Sequence, residues 1–340
     1  MTASDAKMIL AGDIGGTKTR LALYRREGDE LASERVETYS SCEVREFPNL
    51  LKRFLKDHSG PIESACFGAP GPVFEGEVEP TNLEWKVTEE DIRQALEIHA
   101  VKLVNDLVAT AAAIPHLAPE QVVTLQEASS ARQAREQRCV VLAPGTGLGQ
   151  AYLAIRDGEP RLFPSEGGHT DLAPTNALEV DLCHFLRARH QRVTWEDALS
   201  GPGIENIYAF LLESKYRRVP EALAERLAAD DRAKVISEAG LRGEADICVE
   251  TMDIFVSLLG SLAGNVALGF RANGGVYLGG GIPPKILPAL QKGAAVQAFL
   301  DKPSMAGLMK RFPLRVIMDD HAAIMGAARI ASRLAVGAES

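Results

Sequence analysis

Three glycine-rich turns, one Asn-Asp pair and a short Glu/His loop are the residues whose types and spacing suit chemistry. Asp13 precedes Gly15, Gly16 and Thr17. Glycines in a tight turn let successive backbone N–H groups point the same way, a nest that suits phosphate oxygens. A carboxylate beside that nest can hold Mg²⁺ directly or through water, because the ion prefers oxygen ligands and keeps several waters. The same residues also make a plain β-turn with Asp as turn former. Gly145, Thr146 and Gly147 repeat the pattern, and two such cradles suit a β- and a γ-phosphate. Gly279, Gly280 and Gly281 follow an apolar run. Three glycines let a flat ring approach the backbone closely, and they serve equally as a loop ahead of Pro283.

Asn105 and Asp106 stand where an apolar run gives way to an alanine-rich one. In open α/β sheets ligands bind outside the carboxyl ends of strands. An aspartate at that place can accept a hydroxyl proton, and the pair also reads as an ordinary helix cap. A helix N-terminus stabilises the carboxylate and weakens it as a base. Phosphoryl transfer tolerates a weak base, since its loose transition state asks mainly for positioning. Glu166 and His169 flank two glycines, and Glu196 follows. Two carboxylate acceptors and an imidazole suit the vicinal hydroxyls of a sugar, while a lone histidine is also a common structural residue.

The elements that position these residues alternate. Residues 8–11 read as a strand, the first glycine turn follows, and 20–24 return as a second strand, with a third over 34–39. Apolar spacing predicts a helix over 46–58. Residues 64–68 and 101–104 read as strands, and 107–114 as a helix ended by Pro115. Then the opening recurs: strand 140–143, glycine turn, strand 151–154, so that "LAGDIGG" stands beside "LAPGTGLG". Helices are expected over 177–189, 203–215 and 245–270, and a charged, helical surface excursion over 220–239. Strands at 276–278 and 314–318 and a final helix at 322–334 complete an α/β pattern. A boundary near Pro115 divides a small α/β domain, 1–115 completed by 320–340, from a larger one, 116–319.

The 340-residue chain carries 37 Lys and Arg against 46 Asp and Glu, a net charge of −9. That balance supplies no field for gathering nucleic acid. Cys42, Cys66, Cys139, Cys183 and Cys248 are scattered, odd in number and without a CxxC pair. They read as reduced thiols in a cytoplasmic protein. The polar opening gives no secretory signal. The uncharged run 254–270 is interrupted by Ser257, Gly260, Ser261, Gly264 and Asn265, so a core helix is expected there and no membrane partner.

Several motifs are absent. No lysine directly follows a glycine, which excludes the GxxxxGK[ST] phosphate loop. HExxH and GxSxG are missing too. The first glycine turn lies between two strands rather than before a helix, against a dinucleotide-binding Rossmann unit.

Seven segments in order, "LAGDIGGTKTRLALY", "PTNLEW", "LVNDLVATAAAIP", "LAPGTGLGQAYL", "PSEGGHTDLAP", "EDALSGPGIENIY" and "GVYLGGGI", together resemble the bacterial glucokinase family. That family sits in the actin, sugar-kinase and heat-shock ATPase superfamily. The resemblance implies two ribonuclease-H-like α/β lobes with a cleft that closes over sugar and nucleotide. It implies phosphorylation of glucose at its 6-hydroxyl by ATP with Mg²⁺, the entry step of glycolysis. Asp106 would then be the catalytic base. Asn82, Asn105, Glu166, His169 and Glu196 would bind sugar with it. Gly15, Gly16 and Thr17 would form the first phosphate loop, and Gly145, Thr146 and Gly147 the second. Gly279, Gly280 and Gly281 would serve the adenosine side, and Asp13 would organise magnesium. A homodimer is also implied.

The repressor-type ROK sugar kinases share the DxGGT opening and an ExGH element. They carry a cysteine-rich zinc motif after that histidine, whereas here only Cys183 follows nearby and CxCGxxG is absent. The expectation is therefore a zinc-free enzyme. A kinase for another hexose or amino sugar, and a non-kinase ATPase of the superfamily, remain as alternatives.

Overall fold

The structure, a computed structural model, describes residues 7–80, 83, 85–129, 135–216 and 218–337. The chain divides into two compact units. One comprises Met1–Leu117, Leu162–Pro164 and Asp319–Ser340, the other Ala118–Arg161 and Ser165–Met318.

The first unit holds strands β1 (Lys7–Ile14), β2 (Lys18–Glu27), β3 (Glu30–Ser40), β4 (Ile62–Ala69), β5 (Glu77–Val78), β6 (Val87–Thr88) and β7 (Val101–Asn105). Its main sheet runs β3-β2-β1-β4-β7. β2 is antiparallel to both β1 and β3, β4 is parallel to β1, and β7 is parallel to β4. The period-2 alternation of β1 buries both faces of the sheet. Met8 and Leu10 join a core with Phe67 and the helix Phe47–Phe54, which buries Phe47, Leu50, Leu51 and Phe54 at helical spacing. Each such side chain contributes about 1.5–3 kcal/mol when removed from water. Ile9 and Ala11 face the other way, against Ala109 and the small residues Ala327, Ala328 and Ala331 of the C-terminal helix Ala322–Gly337. That alanine face lets the helix lie close, and Ser64 Oγ donates to the Ala331 carbonyl at 2.8 Å.

The second unit holds β8 (Val122–Gln126), β9 (Glu136–Pro144), β10 (Leu148–Arg156), β11 (Glu159–Ser165, apart from Leu162–Pro164), β12 (Gly275–Leu278) and β13 (Leu314–Ile317). The sheet order is β11-β10-β9-β12-β13-β8. β10 is antiparallel to β9, β12 is parallel to β9, β13 is parallel to β12, and β8 closes the edge antiparallel. A hairpin followed by two parallel strands therefore occurs in each sheet, which is the recurrence that the paired glycine turns announce. The helix Asp246–Phe270 is long and apolar enough to cross a membrane, yet 78% of its most apolar stretch is buried inside the fold. Phe255, Leu258, Leu259 and Leu262 lie in the core of this unit. Gly264 admits the neighbouring helix Ala294–Leu300, since a Cβ there would stand 2.7 Å from the Phe299 carbonyl.

Residues 220–239 are a correction. They form two helices, Glu221–Ala229 and Arg232–Arg242, that are part of the core rather than a surface excursion. Leu223, Leu227, Val235, Ile236 and Ala239 are buried in the main cluster. The dense charge lies on the outer faces and masks the i, i+4 spacing of the leucines. The helix expected over 203–215 gives way after Leu211 to a wider turn, Leu212–Tyr216. The helix Glu89–Leu96 and the strands β8 and β11 had no sequence expectation; all three are short, and β8 and β11 are edge strands.

Candidate active site

In the first unit the glycine turn joins β1 to β2. Gly15 N–H donates to the Lys18 carbonyl at 2.9 Å, and a Cβ on Gly15 would stand 2.9 Å from that same oxygen. The position therefore requires glycine. Ser41, wholly buried just after β3, holds the turn from behind. Its N–H donates to the Thr17 carbonyl at 2.9 Å and its hydroxyl to the Gly15 carbonyl at 2.6 Å. Thr19 Oγ1 lies 2.9 Å from the same hydroxyl. With those carbonyls engaged, the N–H groups of Gly16 and Thr17 make no hydrogen bond among the described residues. Backbone N–H groups placed in this way can serve as the donors of a cradle.

Asp13 is the next-to-last residue of β1, directly opposite Arg20 on β2. Burial pushes its carboxyl up to about 6; Arg20 pulls against this, Asp320 adds to it and His321 opposes it. Arg20 is engaged elsewhere: its guanidinium donates to the carboxylate and the main-chain oxygen of Asp320, both at 2.5 Å. A sunken carboxylate whose neighbouring cation is shared fits Mg²⁺, which would supply the missing positive charge. Asp319, Asp320 and His321 gather their ligand atoms within 4.8 Å of one another on the same unit.

Asn105 ends β7 and caps the helix Asp106–Ala113. Its Oδ1 accepts from Leu107 N–H at 2.9 Å and its Nδ2 donates to the Gly71 carbonyl at 3.2 Å. Asp106 Oδ1 accepts from the same Leu107 N–H at 2.9 Å. The carboxylate is thus fixed at a strand end and the first position of a helix, half-buried. Close packing seats the helix: a Cβ on Gly68 of β4 would stand 3.2 Å from Ala109 Cβ, and one on Gly326 would overlap the Ala109 carbonyl. Asn82 lies outside the described residues.

In the second unit Gly145 N–H donates to the Gly147 carbonyl at 2.8 Å, closing the turn from β9 to β10. Thr146 is exposed at its tip. The third glycine loop packs on the end of β9. Gly279 N–H donates to the Leu142 carbonyl at 2.8 Å and Ile282 N–H to that of Pro144 at 3.3 Å. Gly280 has φ +79°, and a Cβ there would stand 3.0 Å from the Pro144 carbonyl. Gly279, Gly280 and Gly281 are thereby brought beside the second turn.

The Glu166 loop lies against the same hairpin. Gly167, Gly168 and His169 make one tight turn, in which His169 N–H donates to the Glu166 carbonyl at 3.1 Å. Any Cβ on Gly168 would overlap the Leu148 carbonyl, and one on Gly167 would overlap the Gln150 side chain. Glu166 and His169 are exposed. Glu196 joins loop and turn: its N–H donates to the Gly168 carbonyl at 3.0 Å, and its Oε2 accepts from Leu148 N–H at 2.8 Å. His169 Nδ1 stands 3.9 Å from Glu196 Oε1.

The glucokinase family profile matches residues 10–334. A curated glucokinase of Trichormus variabilis is 34% identical, over 96% of this chain and 99% of its own. The chain belongs to the glucokinase family. Among solved structures, a glucokinase from an Antarctic psychrotroph superposes with a TM-score of 0.84 at 30% identity, covering 96% of this chain and 99% of that one. A ROK family glucokinase from Streptomyces griseus, solved with glucose and AMPPNP, superposes at 0.63 with 18% identity, over 96% of this chain and 99% of that one. That likeness shows the shared actin-like two-lobe fold.

Measured against its family's motifs, this glucokinase-family chain also uses residues that no motif pointed to. Ser41, just after β3, stands behind the first glycine turn, and Arg20 and Asp320 meet across 300 residues of sequence. Neither pairing has a local sequence signal. The close approach of Gly167 and Gly168 to β10 had one: two consecutive glycines where a polar loop needs none for its turn.

Proposed function

We propose that the chain carries out the glucokinase reaction with its own residues in the following roles. It is an enzyme that phosphorylates glucose at the 6-hydroxyl with ATP. Asp106 orients that hydroxyl and takes its proton. A weak base suffices because the proton leaves late in a loose transition state. Asn82, Asn105, Glu166, His169 and Glu196 bind the sugar hydroxyls. The N–H groups of Gly16 and Thr17 and those around Thr146 take phosphate oxygens, while Gly279, Gly280 and Gly281 line the adenosine side. Asp13 would hold Mg²⁺, which neutralises charge on the transferring phosphate when bound.

One observation carries this reading against a plain ATPase. The Glu166 loop, with polar groups suited to a polyol, is built directly onto a phosphate-type glycine turn through Glu196. An ATPase has no use for that loop. The same reading makes Mg²⁺ required and zinc dispensable, and takes a homodimer as the assembly. It places the chain in the cytoplasm, in keeping with five cysteines that are all unpaired.

The test is ADP release measured with ATP alone and with a panel of hexoses. Strong stimulation by glucose above its epimers and amino sugars is expected. Equal ADP release with and without sugar would overturn the kinase reading, and a preference for another hexose would overturn the substrate.

A further inference from the structure

Leu148, Gly168 and Glu196 form a closed triangle in the second unit. Glu196 N–H is held by the Gly168 carbonyl at 3.0 Å, and Leu148 N–H is held by Glu196 Oε2 at 2.8 Å. The third side is contact: Gly168 lies on the Leu148 carbonyl so closely that no Cβ fits. Leu148 is the first residue after Gly145, Thr146 and Gly147. A Cβ on Gly147 would stand 2.5 Å from Glu196 Oε2, so the carboxylate is packed against the turn itself. The chain beyond Glu196 grips the turn once more. Gly201 N–H donates to the Gly145 carbonyl at 2.8 Å, and Ser200, whose hydroxyl donates to the Glu196 carbonyl, caps the helix Gly201–Leu211.

The two oxygens of Glu196 therefore differ. Oε2 is committed to the glycine turn. Oε1 faces His169 Nδ1 at 3.9 Å, beyond hydrogen-bond length, and accepts no hydrogen bond among the described residues. We propose that Glu196 is a positioning residue for the nucleotide as well as a ligand for the sugar: one carboxylate oxygen sets the second phosphate turn, the other meets the sugar, and each substrate strengthens binding of the other through it. The sugar half of this statement rests on the proposed function; the nucleotide half rests on the hydrogen bond to Leu148 and on the reading of Gly145, Thr146 and Gly147 as a phosphate turn. Coupling of this kind is reciprocal, so glucose tightens nucleotide binding by the factor by which nucleotide tightens glucose.

The test is calorimetric titration of MgADP into the intact protein, first without sugar and then at saturating glucose. Glu196→Ala removes the acceptor, and Glu196→Asp withdraws it by one methylene. Glu196→Gln keeps an oxygen that can accept from Leu148 N–H. Without sugar, MgADP should bind about tenfold more weakly to the Ala and Asp variants, the order expected when a half-buried N–H loses its partner. The Gln variant should stay within about twofold of the parent while losing glucose affinity. In the parent, glucose should tighten MgADP by about fivefold or more, and that factor should fall towards one in the Ala variant. Thermal melts run alongside: an Ala variant that does not fold leaves the Asp and Gln pair to decide. Unchanged MgADP affinity in Ala and Asp would overturn the proposal, as would a Gln variant as weak as Asp. Because the first titration contains no sugar, a chain that shows this MgADP pattern yet never phosphorylates glucose would sink the proposed function and leave the nucleotide role of Glu196 standing.

Discussion

Gly326 of the C-terminal helix lies on the carbonyl of Ala109, less than one helical turn from Asp106, with no space for a Cβ. The backbones of two helices meet there, so the carboxylate proposed as the base is seated by a residue more than 200 positions away in sequence. Gly326→Ala must push the helix Asp106–Ala113 off its seat. Overpacking of this kind costs about 1–3 kcal/mol, and small misplacements of a catalytic group cost up to about 100-fold in rate. Lower melting temperature together with lower kcat is expected. A variant as fast and as stable as its parent would show that the contact is slack.

Asp13 makes a prediction whose sign runs against the usual carboxylate. Its folded value, about 6, lies above the ordinary value of 3.8. Between those two values the native state binds more protons than the unfolded one, so stability falls as pH rises through the window. Above pH 6 the ionised group costs about 3 kcal/mol, given about 1.36 kcal/mol for each pH unit of displacement. Asp13→Asn should therefore melt higher than the parent at pH 7.5, match it near pH 4, and lose magnesium-dependent turnover. Calorimetric melts at the two pH values check this. A variant that is less stable at pH 7.5 would contradict it.

Ser41 offers a separate handle on the first glycine turn, proposed to hold phosphate. Ser41→Ala leaves the Gly15 carbonyl without its 2.6 Å donor, a loss of about 1–3 kcal/mol for a buried acceptor. The KM for MgATP should rise about five- to tenfold, while the KM for glucose stays within about twofold. Equal movement of both constants would mean that Ser41 supports the unit in general rather than the turn.

Zinc gives a simple removal experiment. Treatment with a zinc chelator followed by restored Mg²⁺ should leave turnover intact, because the stretch after His169 offers Cys183 alone among cysteines until Cys248. Loss of activity that zinc but not magnesium restores would contradict the zinc-free reading.

Local patterns carried much of this into view from the sequence. The two glycine hairpins declare themselves because a tight turn between apolar strands needs glycine, as at Gly15, where the Lys18 carbonyl leaves no space. The Asn105 cap was legible for the same reason: strand, capping residue and helix are contiguous. What stayed hidden depends on distant partners. Ser41 gives no sign of its position behind Gly15, and Glu196, legible as a polar candidate for sugar hydroxyls, gives none of its bond to Leu148. The helices over 221–242 read from sequence as a surface excursion because charge dominates their composition, while a few leucines decide their burial.

Asp106 is the group proposed to take the sugar's proton. Asp106→Asn keeps the shape of the side chain and an oxygen for Leu107 N–H, but removes the base. Glucose-dependent ADP release should fall by about 100- to 10,000-fold in kcat, with the KM for glucose changed only severalfold. Turnover close to that of the parent enzyme would contradict the assignment and the mechanism built on it.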